Sequence, residues 1–108
     1  MKVVRVYVAH PLRGDVVGNM GSVERICKMI EAMDSIMPVS PLHAFSFVDP
    51  RGDQGKVLRW CRELLSLCDE VWVFGEDLAV EQSEGVQLEI GWARELGIPV
   101  KRCSTIAE

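Results

Sequence analysis

The pattern of apolar and polar positions along this chain of 108 residues changes period several times. "VVRVYVA", Val3 to Ala9, is almost continuously apolar and rich in β-branched residues. Such a run predicts a strand covered on both faces, as in a parallel sheet. "HPLRGD" breaks it with Pro11 and Gly14. From about Val17 a helical period takes over, with Val23, Ile26, Cys27, Ile30 and Met33 on one side. Asn19 and Ser22 stand near its start, where short polar side chains cap free N–H groups. "IMPVSPL" predicts a short second strand around Met37 to Ser40, and "HAFSFVDPRGDQG" reads as a loop. A second helix follows, with Val57, Leu58, Cys61, Leu64, Leu65 and Cys68 on one side. "DEVWVFG", bounded by Asp69 and Gly75, is the clearest strand, and "EDLAVEQS" reads as a polar connection. The last helix spans about Ser83 to Leu96, Gly97 supplies its stop, and "IPVKRC" is the last strand.

Alternation of strands and helices implies an α/β fold with a parallel sheet and helices on both faces. We expect one domain over residues 1–108. Its form is a small flavodoxin-like or Rossmann-like three-layer sandwich with a mostly parallel sheet of four to five strands. Ligands in such folds lie at the carboxyl ends of the strands. That gathers "HPLRGD", "SPLHAFSF" and "GEDL...SEG" around one cleft.

One residue breaks the pattern of the last helix. On a wheel of about 100° per residue, Val86, Ile90, Ala93, Leu96 and Gly97 form the apolar arc. Glu89 projects from within that arc, three residues after Val86 and four before Ala93. Burying an unpaired carboxylate costs several kcal/mol or raises its pKa until it is neutral. Two readings follow: a Glu at the rim of the core, paired with Arg13 or capped by a hydroxyl, or a catalytic carboxylate facing a cleft.

The neighbours favour chemistry. Ser83 and Gly85 stand at the helix N-terminus, where free N–H groups and the dipole attract an anion. Glu89 then lies roughly 6 Å along the axis from that anion. A sugar 5'-phosphate has this shape. Arg13 offers a planar fork for the same phosphate, and Gly14 frees the loop backbone around it. The chain has neither a Walker loop nor a GxGxxG motif.

Composition narrows the partners. Hydrophobic residues make up 48% and charged residues 26%, enough for a real core. A net charge of -4 and a pI near 5.2 argue against a nucleic-acid polymer or a membrane surface as partner. No apolar run has the length of a membrane span, and the first residues are too interrupted for a signal peptide. The expected location is cytoplasmic. Cys27, Cys61, Cys68 and Cys103 form no CxxC pair, and His10 and His43 are the only histidines. No metal or cofactor is expected, and the thiols read as reduced and buried.

"YVAHPLRG" followed much later by "SEGVQLEIGWARELGIPV" resembles the nucleoside 2-deoxyribosyltransferase superfamily. The nearest pattern is that of the 2'-deoxynucleoside 5'-phosphate N-hydrolases and small bacterial and phage proteins like them. The resemblance covers most of the chain and is specific at its two ends. It implies that Glu89, in the Gly85, Glu89, Ile90, Gly91 pattern, is a nucleophile that attacks the anomeric carbon. It implies that Tyr7 hydrogen-bonds this nucleophile, and that Arg13 and Gly14 belong to the ligand loop. Ser83 falls where the nucleotide hydrolases hold the 5'-phosphate.

Two departures matter. Cys61 stands where those hydrolases carry an Asp, and a thiol is a poor substitute for a carboxylate. Asp49, Asp53, His43 and Asp77 are loop candidates for the missing acid. His10-Pro11 replaces a small pair, so His10 either narrows the pocket or contacts the ligand. The expected function is cleavage or transfer at the N-glycosidic bond of a (deoxy)nucleoside 5'-monophosphate. The alternative is a nucleotide-binding module that kept the phosphate site and lost efficient chemistry. The partner is then a small nucleotide or nucleoside. By the same resemblance the chain is expected to be a homo-oligomer, most simply a dimer. Trp60 and Trp92 are candidate interface aromatics.

Overall fold

Four short strands build an all-parallel sheet in the order β2-β1-β3-β4. A computed structural model describes residues 2–104; the remaining positions of the expected domain lie outside the described residues. The elements run β1 (Val4–Ala9), α1 (Val16–Glu31), β2 (Ile36–Val39), α2 (Pro41–Ala44), α3 (Gln54–Ser66), β3 (Glu70–Val73), α4 (Asp77–Gln82), α5 (Glu84–Leu96) and β4 (Val100–Arg102). This is the expected α/β sandwich with four strands.

The continuous apolarity of β1 has the cause its sequence suggested. β1 pairs with β2 on one side and β3 on the other, and both of its faces are covered. Val8 packs with Val23, Ile26 and Ile30 of α1 and with Phe74. Tyr7 and Ala9 point to the opposite face, against Leu65 of α3 and Val86 and Ala93 of α5. Alternation of side chains along a strand thus sends adjacent residues into separate cores.

Several expectations about helix ends are corrected. Asp15 caps α1, its Oδ1 accepting from the Gly18 N–H at 3.0 Å. Asn19 lies inside the helix, and its side-chain amide donates to the Leu12 carbonyl at 2.9 Å. Ser22 is also within the helix, and Met33 falls beyond its end and is exposed. The segment read as a polar connection is α4, and α2 opens the segment read as a loop. Leu58 and Leu96, placed on apolar arcs, are exposed at their helix surfaces. Gly97 ends α5 as expected, with φ of 70°.

The loops at the carboxyl ends of the strands are fastened together. Gly75, after β3, has φ of 117°, and a Cβ there would lie 3.0 Å from Pro11 Cδ. The chain after β1 therefore packs tightly against the chain after β3. Arg102 at the end of β4 donates to the carbonyls of Val73 at 3.0 Å, Cys103 at 2.7 Å and Gly75. Its Nη2 also reaches Asp77 Oδ1 at 2.9 Å. Among the described residues, no helix is long and apolar enough to cross a membrane.

Candidate active site

Tyr7 is fully buried in the middle of β1, on the face covered by α3 and α5. Its hydroxyl donates a hydrogen bond to Glu89 Oε2. Glu89 stands on α5 between the buried Val86 and Ala93, so the helix must turn this carboxylate toward the sheet. The contact joins residues separated by 82 positions, which only the packing of α5 on β1 brings together.

Burial raises the Glu89 carboxyl to a pKa of about 7, and the Tyr7 hydrogen bond opposes that rise. The Tyr7 phenol moves up as well, first from burial and then from the charge and hydrogen bond of Glu89. It therefore stays protonated and acts as a donor.

Cys61 completes the cluster. It lies one helical turn before Leu65, on the α3 face that packs against Tyr7, close enough for its thiol to act electrostatically on the Tyr7 phenol. Burial and the nearby Glu89 charge push this thiol up to about 11, so it remains uncharged. The position singled out in the sequence as a departure thus lies within electrostatic reach of the Tyr7-Glu89 pair.

The other candidates are dispersed. Ser83 is the N-cap of α5, its Oγ accepting from the Val86 N–H at 3.2 Å. Gly85 is exposed in the first turn, and a Cβ there would meet nothing within 4 Å. Gly14 takes φ of 98° in the loop after β1, where side-chain-bearing residues are strained. Arg13 beside it is exposed and does not pair with Glu89. His10 is half-buried with Nδ1 at 2.6 Å from the Pro11 carbonyl, and burial lowers its pKa. His43 is exposed on α2, its Nδ1 at 2.8 Å from Ser40 Oγ.

The loop acids nominated from the sequence each have another partner. Asp49 binds Arg51 at 3.2 Å, Asp53 caps α3 through the Lys56 N–H at 3.1 Å, and Asp77 binds Arg102. Trp60 packs against Phe45 with ring centroids 5.6 Å apart, while Trp92, on α5, packs partly buried against the core. A cavity of about 480 Å³ lies along α5 and β4, lined by Val73, Ile90, Arg94, Ile98, Val100 and Arg102. Neither Tyr7 nor Glu89 is part of its lining.

Sequence reasoning missed Arg102, which it placed within the last strand and gave no role. Its four acceptors come from β3, the loop after β3, α4 and the end of β4, and no local pattern joins them. Asp15 was legible: a short acid three residues before a helical Gly is a capping signal.

The fold is that of solved 2-deoxyribosyltransferases. The enzyme of the psychrotolerant bacterium Bacillus psychrosaccharolyticus aligns at 18% identity and TM-score 0.68, over 97% of this chain and 75% of that one. A 2-deoxyribosyltransferase from Leishmania mexicana aligns at 15% identity and TM-score 0.70, over 97% of this chain and 67% of the other. A CMP N-glycosidase from Clostridium botulinum aligns at 21% identity and TM-score 0.57, over 93% and 68%. No curated protein matches the sequence. Residues 4–103 match the family described as a domain of unknown function (DUF7768), and the chain belongs to that family.

Proposed function

We propose that this member of the DUF7768 family cleaves or transfers the N-glycosidic bond of a nucleoside 5'-monophosphate, with Glu89 as nucleophile. The observation that carries the reading is the hydrogen bond from Tyr7 on the sheet to the desolvated Glu89 carboxylate on the helix. A carboxylate held in a poorly solvated site by one directed donor is a reactive group, since little water must be shed before it attacks. The fold neighbours support it, because two are named for deoxyribosyl transfer and one for CMP N-glycosidase activity.

In the proposed first step, a Glu89 oxygen bonds to the anomeric carbon as the bond to the base breaks. In the second, water or another base displaces Glu89 from the same face that the first base left. Tyr7 holds the carboxylate by one oxygen and leaves the other for attack. The α5 N-terminus, with Ser83 and Gly85, is the proposed phosphate site, joined by Arg13 and Gly14 from the loop after β1. His10 and His43 are proposed at its margin, on the neighbouring loops. We also propose a cytoplasmic homo-oligomer, most simply a dimer.

A second reading is favoured by Cys61: a neutral thiol beside Glu89 suits a nucleotide-binding module with little turnover. Incubation with ribo- and deoxynucleoside monophosphates, followed by chromatography for free base, separates the two. Release by the wild type and none by Glu89→Ala supports the enzyme. Binding unchanged in Glu89→Gln, with no base released, leaves the module.

A further inference from the structure

The outer surface of α3 and α5 carries apolar side chains that the chain itself leaves uncovered. Leu58 on α3 is 39% exposed, and Leu88 and Leu96 on α5 are each 42% exposed. Leu88, Trp92 and Leu96 recur every four residues on α5, a stripe separate from the buried Val86 and Ala93. The Arg62 guanidinium donates to Glu95 at 3.1 Å, so the sides of α3 and α5 that carry this pair border one groove. Leu58 stands one turn before Arg62 on that side of α3. Gly91 stands one turn before Glu95 on that side of α5, and Leu88 two turns before it.

Gly91 points to something outside the subunit. A glycine inside a helix is less stable than an alanine there. A Cβ at Gly91 would meet nothing within 4 Å, so crowding within the chain does not require the missing side chain. A second helix approaching from outside would use it, because backbones come closest where no side chain intervenes.

We infer that this face joins two copies of the chain, related by a two-fold axis running along the groove between α3 and α5. Charge selects both the partner and the axis. Arg62 and Glu95 lie side by side on the face, which makes it complementary to a copy of itself. An axis along the groove sets Arg62 against the partner's Glu95, and Glu95 against the partner's Arg62. An axis across the groove would instead oppose like charges, which is repulsive.

Rotation about an axis parallel to the helices keeps each residue at its own height. Leu58 and Gly91 both lie one turn before the charged pair, so Leu58 meets the partner's Gly91. The leucine of one copy then fills the space that the glycine of the other leaves open. Leu88 and Trp92 border the same contact, apolar residues suited to the centre of an interface. The inference gives a surface to the homo-oligomer proposed above and stands apart from the chemistry of Glu89.

Sedimentation of the full chain, up to about 200 μM, tests it. The wild type should be a dimer or a multiple of one. Arg62→Glu and Glu95→Arg should each raise the dissociation constant at least about tenfold, because four like charges then meet. Each should keep its fold, since an exposed ion pair within one chain contributes little. Mixed in equal amounts, the two variants should associate again, because every contact between subunits then joins opposite charges. Gly91→Gln should also weaken association while improving the helix propensity of the subunit. A wild type that stays monomeric overturns both this inference and the homo-oligomer. A dimer that survives all three single variants leaves the homo-oligomer and overturns this face. Dissociation by both charge reversals without recovery on mixing overturns the direct contact of Arg62 with the partner's Glu95.

Discussion

The Tyr7 hydroxyl and the Glu89 carboxylate meet across the interface between β1 and α5, phenol as donor and carboxylate as acceptor. Tyr7 belongs to one of the two apolar clusters, with Leu65, Val86 and Ala93, and Glu89 is half-buried at its side. A charge there is costly unless it serves a purpose, and its energetics give the first two predictions.

Stability should fall as pH rises. Glu89 is ordinary in the unfolded chain, near 4.5, and about 7 in the folded one. The folded state therefore binds more protons between these values, and its advantage is full below the lower value. It is lost as pH climbs through the upper one, a change on the order of 3 kcal/mol. Thermal melts from pH 5 to 8 should show this decline in the wild type and a flatter profile in Glu89→Gln.

Activity should run the other way. If Glu89 attacks as a carboxylate, kcat/KM should rise with pH and reach half its plateau near pH 7. A profile already flat from pH 5 upward would mean that the ionisation of Glu89 does not govern the rate.

Tyr7→Phe should retain the fold, because the ring stays buried, but leave Glu89 without its donor. Losing a hydrogen bond to a charged group costs about 1.5–3 kcal/mol. The pH midpoint of base release should therefore move upward, and the rate at pH 7 should drop roughly 10- to 100-fold. Nuclear magnetic resonance titration of the Glu89 carboxyl carbon would read the same shift without turnover.

Arg102→Ala should loosen the loops at the carboxyl ends of the strands. It removes a guanidinium shared by three carbonyls and Asp77. The expected loss is about 1–3 kcal/mol, from carbonyls left without a donor. Amide exchange should quicken between Gly75 and Ser83, and Arg102→Lys should restore only part of the protection, since an ammonium cannot form the same fork.

Gly18→Ala should destabilise α1 despite better helix propensity. An added Cβ would lie 2.2 Å from Asp15 Oδ2 and force the cap open. The loss should approach that of Asp15→Ala, about 0.5–2 kcal/mol by denaturant titration.

Much of the fold was legible because its causes are local. The unbroken apolar run of β1 announced a strand covered on both faces, and the period of α5, with Ser83 before it and Gly97 after it, announced its ends. Short elements were harder. α2 and α4 hold four and six residues, too few for a helical period to show. Leu58 and Leu96 fit their apolar arcs yet lie exposed, because a wheel gives direction and not what stands opposite.

The candidate site divides in the same way. By itself the sequence marked Glu89 as a charge on a buried helix face, since that follows from spacing within one helix. That the hydroxyl of Tyr7 satisfies it, that Cys61 closes the cluster, and that Asp49, Asp53 and Asp77 are engaged elsewhere were decided by the tertiary structure. Periodicity fixes the direction in which a side chain leaves its own element. Which group it meets depends on how sheet and helices pack, and that packing joined Tyr7 to Glu89 across 82 positions.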